Sequence, residues 1–179
     1  MEIWDVRNRE GEKSGKTVSR KEALVDKSVF EKGEYHLSVE VFIINSRGQL
    51  LFTKRSPHKD NYPDLWETTA GSAISGEESL ETMVREIGEE IGLEVQPEDL
   101  IYKGRLVENV RSQLMDLYFL YCDQDIDSFT LQEEETWDIK WRDLSWEILE
   151  DPEIVEPMRD RMKFIWLDLL DFARENCKR

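Results

Sequence analysis

Glu86, Glu89 and Glu90 stand at the spacing i, i+3 and i+4 in the stretch Arg85-Glu86-Ile87-Gly88-Glu89-Glu90-Ile91. On an α-helix such positions are neighbours on one side. Like charges at that spacing repel each other, and a divalent cation held between them removes the repulsion. Magnesium suits the position, because it is a hard cation that takes carboxylate oxygens together with waters and substrate phosphates. Arg85, four residues before Glu89, can pair with it and fix a carboxylate rotamer. Gly71 and Gly76 frame a preceding loop whose backbone can approach a metal. Taken alone, three carboxylates are also what a solvated acidic helix face looks like. The spacing of all the marked positions together is what argues for chemistry.

The element that must carry the trio is well signalled. Ser75 followed by Glu78 reads as a capping box. Leu80, Met83, Val84, Ile87 and Ile91 then recur at helical spacing, and Gly92 sits where a helix end wants a left-handed residue. A helix over 76–91 is expected, its apolar stripe turned inward and its carboxylates outward. Ahead of it, 37–44 and 50–53 read as strands joined by a tight turn, a hairpin; 66–69 reads as a further strand leading to Gly71. Behind it, 100–107, 114–122 and the alternation of Trp137, Ile139 and Trp141 read as strands. Ser145 begins a short helical stretch. Pro157 opens a final helix with Met158, Met162, Ile165, Trp166, Leu169 and Phe172 on one side. A short strand is expected over 3–6, followed by a loop-rich stretch to residue 36. The expected fold is α+β, one domain over 1–179 with an N-terminal extension (1–35), a core (36–150) and a C-terminal helix (151–179).

Composition narrows the function classes. The chain has 179 residues with 24 Lys and Arg against 40 Asp and Glu, a formal charge of −16. So acidic a surface repels nucleic-acid polymers and anionic membranes. A small anion can still bind at a local site through a divalent cation. No apolar stretch is long enough to span a bilayer, and the N-terminus lacks the basic start and apolar run of a signal peptide. The two cysteines, Cys122 and Cys177, have no metal-ligand spacing and read as reduced thiols, so a cytoplasmic location is expected.

The marked positions run Gly71, five residues, Glu77, seven residues, Arg85-Glu86-Ile87, one residue, Glu89-Glu90, one residue, Gly92-Leu93. This pattern resembles the Nudix box of the Nudix hydrolase superfamily without a departure. The flanking strands over about 36–150 resemble the Nudix fold, a mixed β-sheet sandwiched between α-helices. The resemblance implies a hydrolase that cleaves a diphosphate linkage in a nucleoside diphosphate-X or related organic pyrophosphate, with Mg²⁺ or Mn²⁺ and an activated water. It implies Glu86, Glu89, Glu90 and the carbonyl of Gly71 as metal ligands, and Arg85 as the residue that orients the carboxylates. Glu77 would act on the metal indirectly. The base is expected either in the box or in a later loop, where Glu135, at the edge of the Trp137 strand, is favoured over Glu133 and Glu134. Glu108 and Asp116 are weaker candidates, since isolated strand acids are mostly surface groups. Lys54 and Arg55, which end the second strand of the hairpin, are expected to bind substrate phosphate. Tyr62 and Trp66 either line the pocket or pack, and His36 reads as a structural histidine.

The segments Glu2-Ile3-Trp4-Asp5-Val6, Gly33-Glu34-Tyr35-His36-Leu37 and Lys54-Arg55-Ser56-Pro57 resemble a bacterial Nudix branch related to isopentenyl-diphosphate isomerase. An isomerase-like enzyme is therefore the alternative. That family places a cysteine in the strand before the box, where this chain has Trp66-Glu67-Thr68-Thr69-Ala70. It also uses several histidine ligands, whereas only His36 and His58 occur here. A non-catalytic ligand-sensing Nudix module is the third reading, and the complete glutamate set weighs against it. A small-molecule diphosphate is the expected partner, with the N-terminal extension a candidate homodimer contact.

Overall fold

The computed structural model describes residues 2–177. Its centre is β3 (His36–Ile44), buried along its whole length. A strand covered on both faces reads as a nearly continuous apolar run. The second half of β3, residues 41–44, is such a run, whereas buried His36, Ser38 and Glu40 alternate with apolar residues in the first half. It pairs in parallel with β8 (Gln113–Tyr121) from His36 to Ile44. Outside β8 lies antiparallel β7 (Ile101–Glu108). Alternation along β3 divides the core. Phe42 and Ile44 face a layer formed by α3 (Glu156–Phe164) and α4 (Trp166–Asn176). Val39, Val41 and Ile43 face α2 (Ser79–Ile91). The sheet is mixed and carries helices on both faces, the expected α+β arrangement.

The turn after β3 forms as expected. Asn45 Oδ1 accepts from the backbone N–H groups of Arg47 and Gln49, each at 3.0 Å, and Gly48 takes the left-handed conformation at φ 71°. The hairpin does not continue. β3 and β4 (Gln49–Arg55) pair only at Ile44 and Leu50, then part. The wedge between them is filled by the next segment. β5 (Trp66–Glu67) pairs with β4, and β6 (Ala70–Ser72) pairs with β3 at Ser38–Glu40. The single strand expected over 66–69 is thus two short ones, because each half is claimed by a different neighbour. On its other side β4 pairs with β9 (Thr136–Asp143).

The N-terminal stretch is more ordered than its polar sequence suggests. β1 (Ile3–Arg7) pairs with β2 (Lys13–Ser19), and α1 (Arg20–Val25) follows, where a loop was expected. Trp4, Val6, Val18, Ala23 and Phe30 bury themselves against one another. The other departure is at the C-terminus, where the one expected helix is two. The chain breaks at Ile165 (φ −103°, ψ 14°), yet both helices turn their expected apolar residues inward. No helix of the described residues is long and apolar enough to cross a membrane.

His36 ties the two parts together. Its ring stacks on Trp4 with centroids 4.2 Å apart, and Nδ1 lies 2.9 Å from the Ser112 carbonyl. Burial, with the charge of Lys27 adding to it, lowers its pKa from 6.5 to about 4. The folded protein therefore holds this ring neutral where the unfolded chain would protonate it. The stabilisation is complete above pH 6.5 and is lost as pH falls towards 4, a difference of about 3 kcal/mol. Denaturant titrations of wild type and His36→Gln across pH 7 to 4 should show the wild type losing about that much more. A difference between the two that did not change with pH would remove this assignment.

Candidate active site

The helix that carries the glutamates begins three residues later than its sequence suggests. Glu78, not Ser75, is the cap, in a reciprocal box with Glu81. Ser75 is taken by the N-terminal strand: its N–H donates to the Ile3 carbonyl at 2.7 Å, and its hydroxyl donates to Asp5 at 2.7 Å. The Gly76 N–H also donates to Asp5, at 2.9 Å. Arg7 completes this brace, donating to the Glu77 carbonyl at 2.7 Å and to the Glu78 carboxylate at 2.9 Å. At the far end Gly92, at φ 65°, closes the helix as expected. Met83, Ile87 and Ile91 are buried, whereas Leu80 lies largely outside the core.

Arg85 gathers the acidic face. Its guanidinium donates to both oxygens of Glu77 at 2.8 and 3.0 Å, to Glu86 and Glu89 at 2.9 Å each, and to the Ser72 carbonyl at 3.1 Å. Its pKa rises, first through the Glu77 hydrogen bonds. Burial works against ionised Glu77, but the bonds from Arg85 and from the Ile74 N–H prevail and its pKa falls. The neighbouring acids go the other way. Burial raises Glu86, Glu67 and above all Glu90; Glu67 and Glu86 each add to the repulsion on Glu90. Like charges crowded in a poorly solvated place resist ionising together unless a cation joins them.

Among the described residues no three His, Cys, Asp or Glu side chains stand in the arrangement of a metal site. Arg85 instead holds Glu86 and Glu89. The donor set nevertheless fits a hard divalent cation, since it consists of carboxylate oxygens beside a glycine backbone. The fit is tightest at Gly71. A Cβ there would lie 1.9 Å from Glu86 Cδ and 2.0 Å from Oε1. The Glu86 carboxylate thus occupies the space where any side chain at position 71 would begin.

These groups open into a cleft of about 540 Å³, within the range of small-molecule sites. It is bordered by Gly71, Arg85, Glu86, Glu89 and Glu90, and by Arg55 and Glu135. Arg55 donates to Glu67 at 2.6 Å and to the Asn61 carbonyl at 2.9 Å. Glu135 is ion-paired with Lys59, which also borders the cleft. Lys54 does not share this place. Neighbours on a strand point to opposite faces, and Lys54 lies over the rings of Trp66 and Trp137, 5.6 and 5.1 Å from their centroids. The expectation that Lys54 and Arg55 act as a pair is corrected on this point. Tyr62 borders the cleft, whereas Trp66 is core. Asp116 is buried beneath a two-pronged contact from Arg105 at 2.6 and 2.7 Å, not exposed. Glu108 is also partnered, by Arg111 and Arg161.

Sequence reasoning missed Lys59, Glu67 and Arg161, all of which border the cleft. Arg161 reaches from α3 to buried Glu40 on β3, which also accepts from Thr68 at 2.8 Å. Only the acidic Glu67, alternating with Trp66 in a strand that leads to Gly71, left a trace that could have been followed.

The sequence matches the NUDIX domain family over residues 34–163. It is 34% identical over 142 residues to an uncharacterized Nudix hydrolase of Listeria innocua, covering 79% of each chain. It is 27% identical over 120 residues to an Escherichia coli isopentenyl-diphosphate Δ-isomerase, covering 62% of this chain and 63% of that one. The crystal structure of a Deinococcus radiodurans protein superposes with a TM-score of 0.62 at 22% identity, covering 99% of this chain and 100% of the other.

Proposed function

The chain belongs to the Nudix domain family, and on that premise we propose that it is a divalent-cation-dependent hydrolase of a diphosphate linkage in a nucleoside diphosphate-X or a related organic pyrophosphate. The observation that carries the reading is the crowding of Glu86, Glu90 and Glu67 in one cleft, with Glu86 seated against the bare backbone of Gly71. Glu86, Glu89, Glu90 and the Gly71 carbonyl would hold Mg²⁺ or Mn²⁺. When bound, the cation would neutralise phosphate charge and make a water more acidic. Arg85 keeps Glu86 and Glu89 on the cleft side of the helix and supplies the positive charge that they share. Arg55 and Lys59 present N–H donors to a phosphate in the cleft. Glu135 would accept the proton of the attacking water once Lys59 turns to the substrate. The pocket takes a soluble small molecule.

An isomerase-like reaction has less support. Position 68–69, inside the β5–β6 segment, is Thr-Thr, and Cys122 packs among Ile43, Leu120 and the α2 residues instead of bordering the cleft. The test is a panel of nucleoside di- and triphosphates, nucleotide sugars, dinucleotides and isopentenyl diphosphate, with and without Mg²⁺ or Mn²⁺. Products would be identified by mass in ¹⁸O-water. Cation-dependent release of two phosphate-bearing or phosphate-capped products with one ¹⁸O is expected. Turnover of isopentenyl diphosphate without incorporation would replace hydrolysis with isomerisation. Tight binding without turnover of any compound would leave a sensor.

A further inference from the structure

The cleft has a second end that the hydrolysis of a diphosphate does not use. Beyond Gly71 it is bordered by Gln113 and Arg111, with Ser38 between the levels of Gly71 and Gln113, and Arg161 spanning them from Glu40, beside Ala70, to Glu108, beside Gln113. Gly71 stands beside Val39 in the sheet, and Gln113 stands beside His36. Three residues separate the two levels, about 10 Å along β3, which leaves room for a sugar-sized group between them.

This end is built from cations in a protein of charge −16. Arg161 is more than nine-tenths buried and holds Glu108 Oε1 at 3.1 Å, while Arg111 holds Glu108 Oε2 at 2.9 Å. Glu108 therefore bridges two guanidinium groups. Arg111 spends one nitrogen on this contact. A guanidinium has five N–H donors, and among the described residues Arg111 makes no other side-chain hydrogen bond. Lys27 is close enough for the charge of Arg111 to add to the effect of burial in lowering its pKa. Arg161 is also paired with buried Glu40, so two acids, Glu40 and Glu108, face three cations, Arg161, Arg111 and Lys27.

Arg111 is also held in place. It ends a short turn, Asn109–Arg111, between β7 and β8. The Tyr35 hydroxyl donates to Asn109 at 2.8 Å, and the His36 N–H donates to the Ser112 carbonyl at 2.9 Å. Among the described residues Tyr62 is the one aromatic side chain that borders the cleft. An aromatic sandwich for a base is therefore not what this end offers.

We infer that the Arg111 end of the cleft receives a second anionic group, a phosphate or carboxylate carried by the substrate on either side of the scissile diphosphate and separate from it. Arg111 would contact that group. Glu108 and Arg161 are positioning residues that hold the guanidinium in place. This rests on the reading of the cleft as a hydrolase site.

The test uses compound pairs that differ by one anionic group: NADPH and NADH, coenzyme A and its 3′-dephospho form, UDP-glucuronate and UDP-glucose. In at least one pair the anionic member should have a kcat/KM about 10- to 100-fold higher, the size of one charge-assisted contact. Arg111→Gln should abolish that ratio by raising KM for the anionic member more than for the neutral one, and Arg111→Lys should restore part of it. Parity in every pair that is hydrolysed, or a ratio that survives Arg111→Gln, overturns the proposal. If nothing is hydrolysed, the function reading has failed instead. Calorimetry with adenosine 3′,5′-bisphosphate and AMP then decides: tighter binding of the bisphosphate, lost in Arg111→Gln, upholds the subsite, and equal binding rejects it.

Discussion

Glu90→Gln is expected to lower turnover by about 10²- to 10⁴-fold while leaving the metal-free protein at least as heat-stable as wild type. Glu90 is buried, and burial together with the charges of Glu67 and Glu86 pushes its pKa well above the ordinary value. An acid raised in the folded state weighs against folding once the unfolded chain can ionise. Stability from this group therefore falls as pH rises from about 4.5 towards the folded value, and a glutamine is free of that loss. Glutamine keeps the shape and removes the charge. The decisive measurement pairs steady-state assays with melting curves in a chelator at pH 5 and pH 8. Added Mg²⁺ should raise the melting temperature of the wild type and raise that of the variant less, because ligand binding stabilises by mass action. Undiminished turnover, or a clear fall in the chelated melting temperature of the variant, would refute the assignment.

Gly71→Ala separates activity from folding in a different way. Gly71 is not in the left-handed region, so its backbone accepts alanine. The obstacle is the Glu86 carboxylate, which lies 1.9 to 2.4 Å from where the new methyl would be. The methyl meets the end of a flexible side chain, which can swing away at little cost to the fold. It cannot swing away and still stand against the backbone of position 71. Turnover should fall at least about 100-fold, with the melting temperature without metal changing by no more than a few degrees. Activity within a few-fold of wild type would show that the seat of Glu86 against Gly71 does not matter to the reaction.

Much of this site is local in sequence, and to that extent it was legible. A single helix with one apolar stripe carries Arg85, Glu86, Glu89 and Glu90, and a left-handed glycine ends it. The start of that helix was misread because Ser75, a good capping residue, is held by Asp5, seventy residues away. Local preference lost there to a tertiary contact. The same reason hides Lys59, Glu67 and Arg161, since no spacing announces that Arg161 on α3 will reach Glu40 on β3. Lys54 and Arg55 were adjacent in sequence and therefore grouped, although alternation along β4 separates them. The hairpin was right at its turn and wrong beyond it, because β5 and β6 come between its arms only in three dimensions.

The contacts of Ile3, Asp5 and Arg7 with the loop over 75–78 bear on how the chain can be shortened. The family match begins at residue 34, so a minimal clone drawn from that match would discard all three. It would keep every glutamate of the helix yet leave the approach to it unpinned, with Ser75 free to compete as an earlier cap. The first thirty-odd residues belong to the working parts and should be kept with them.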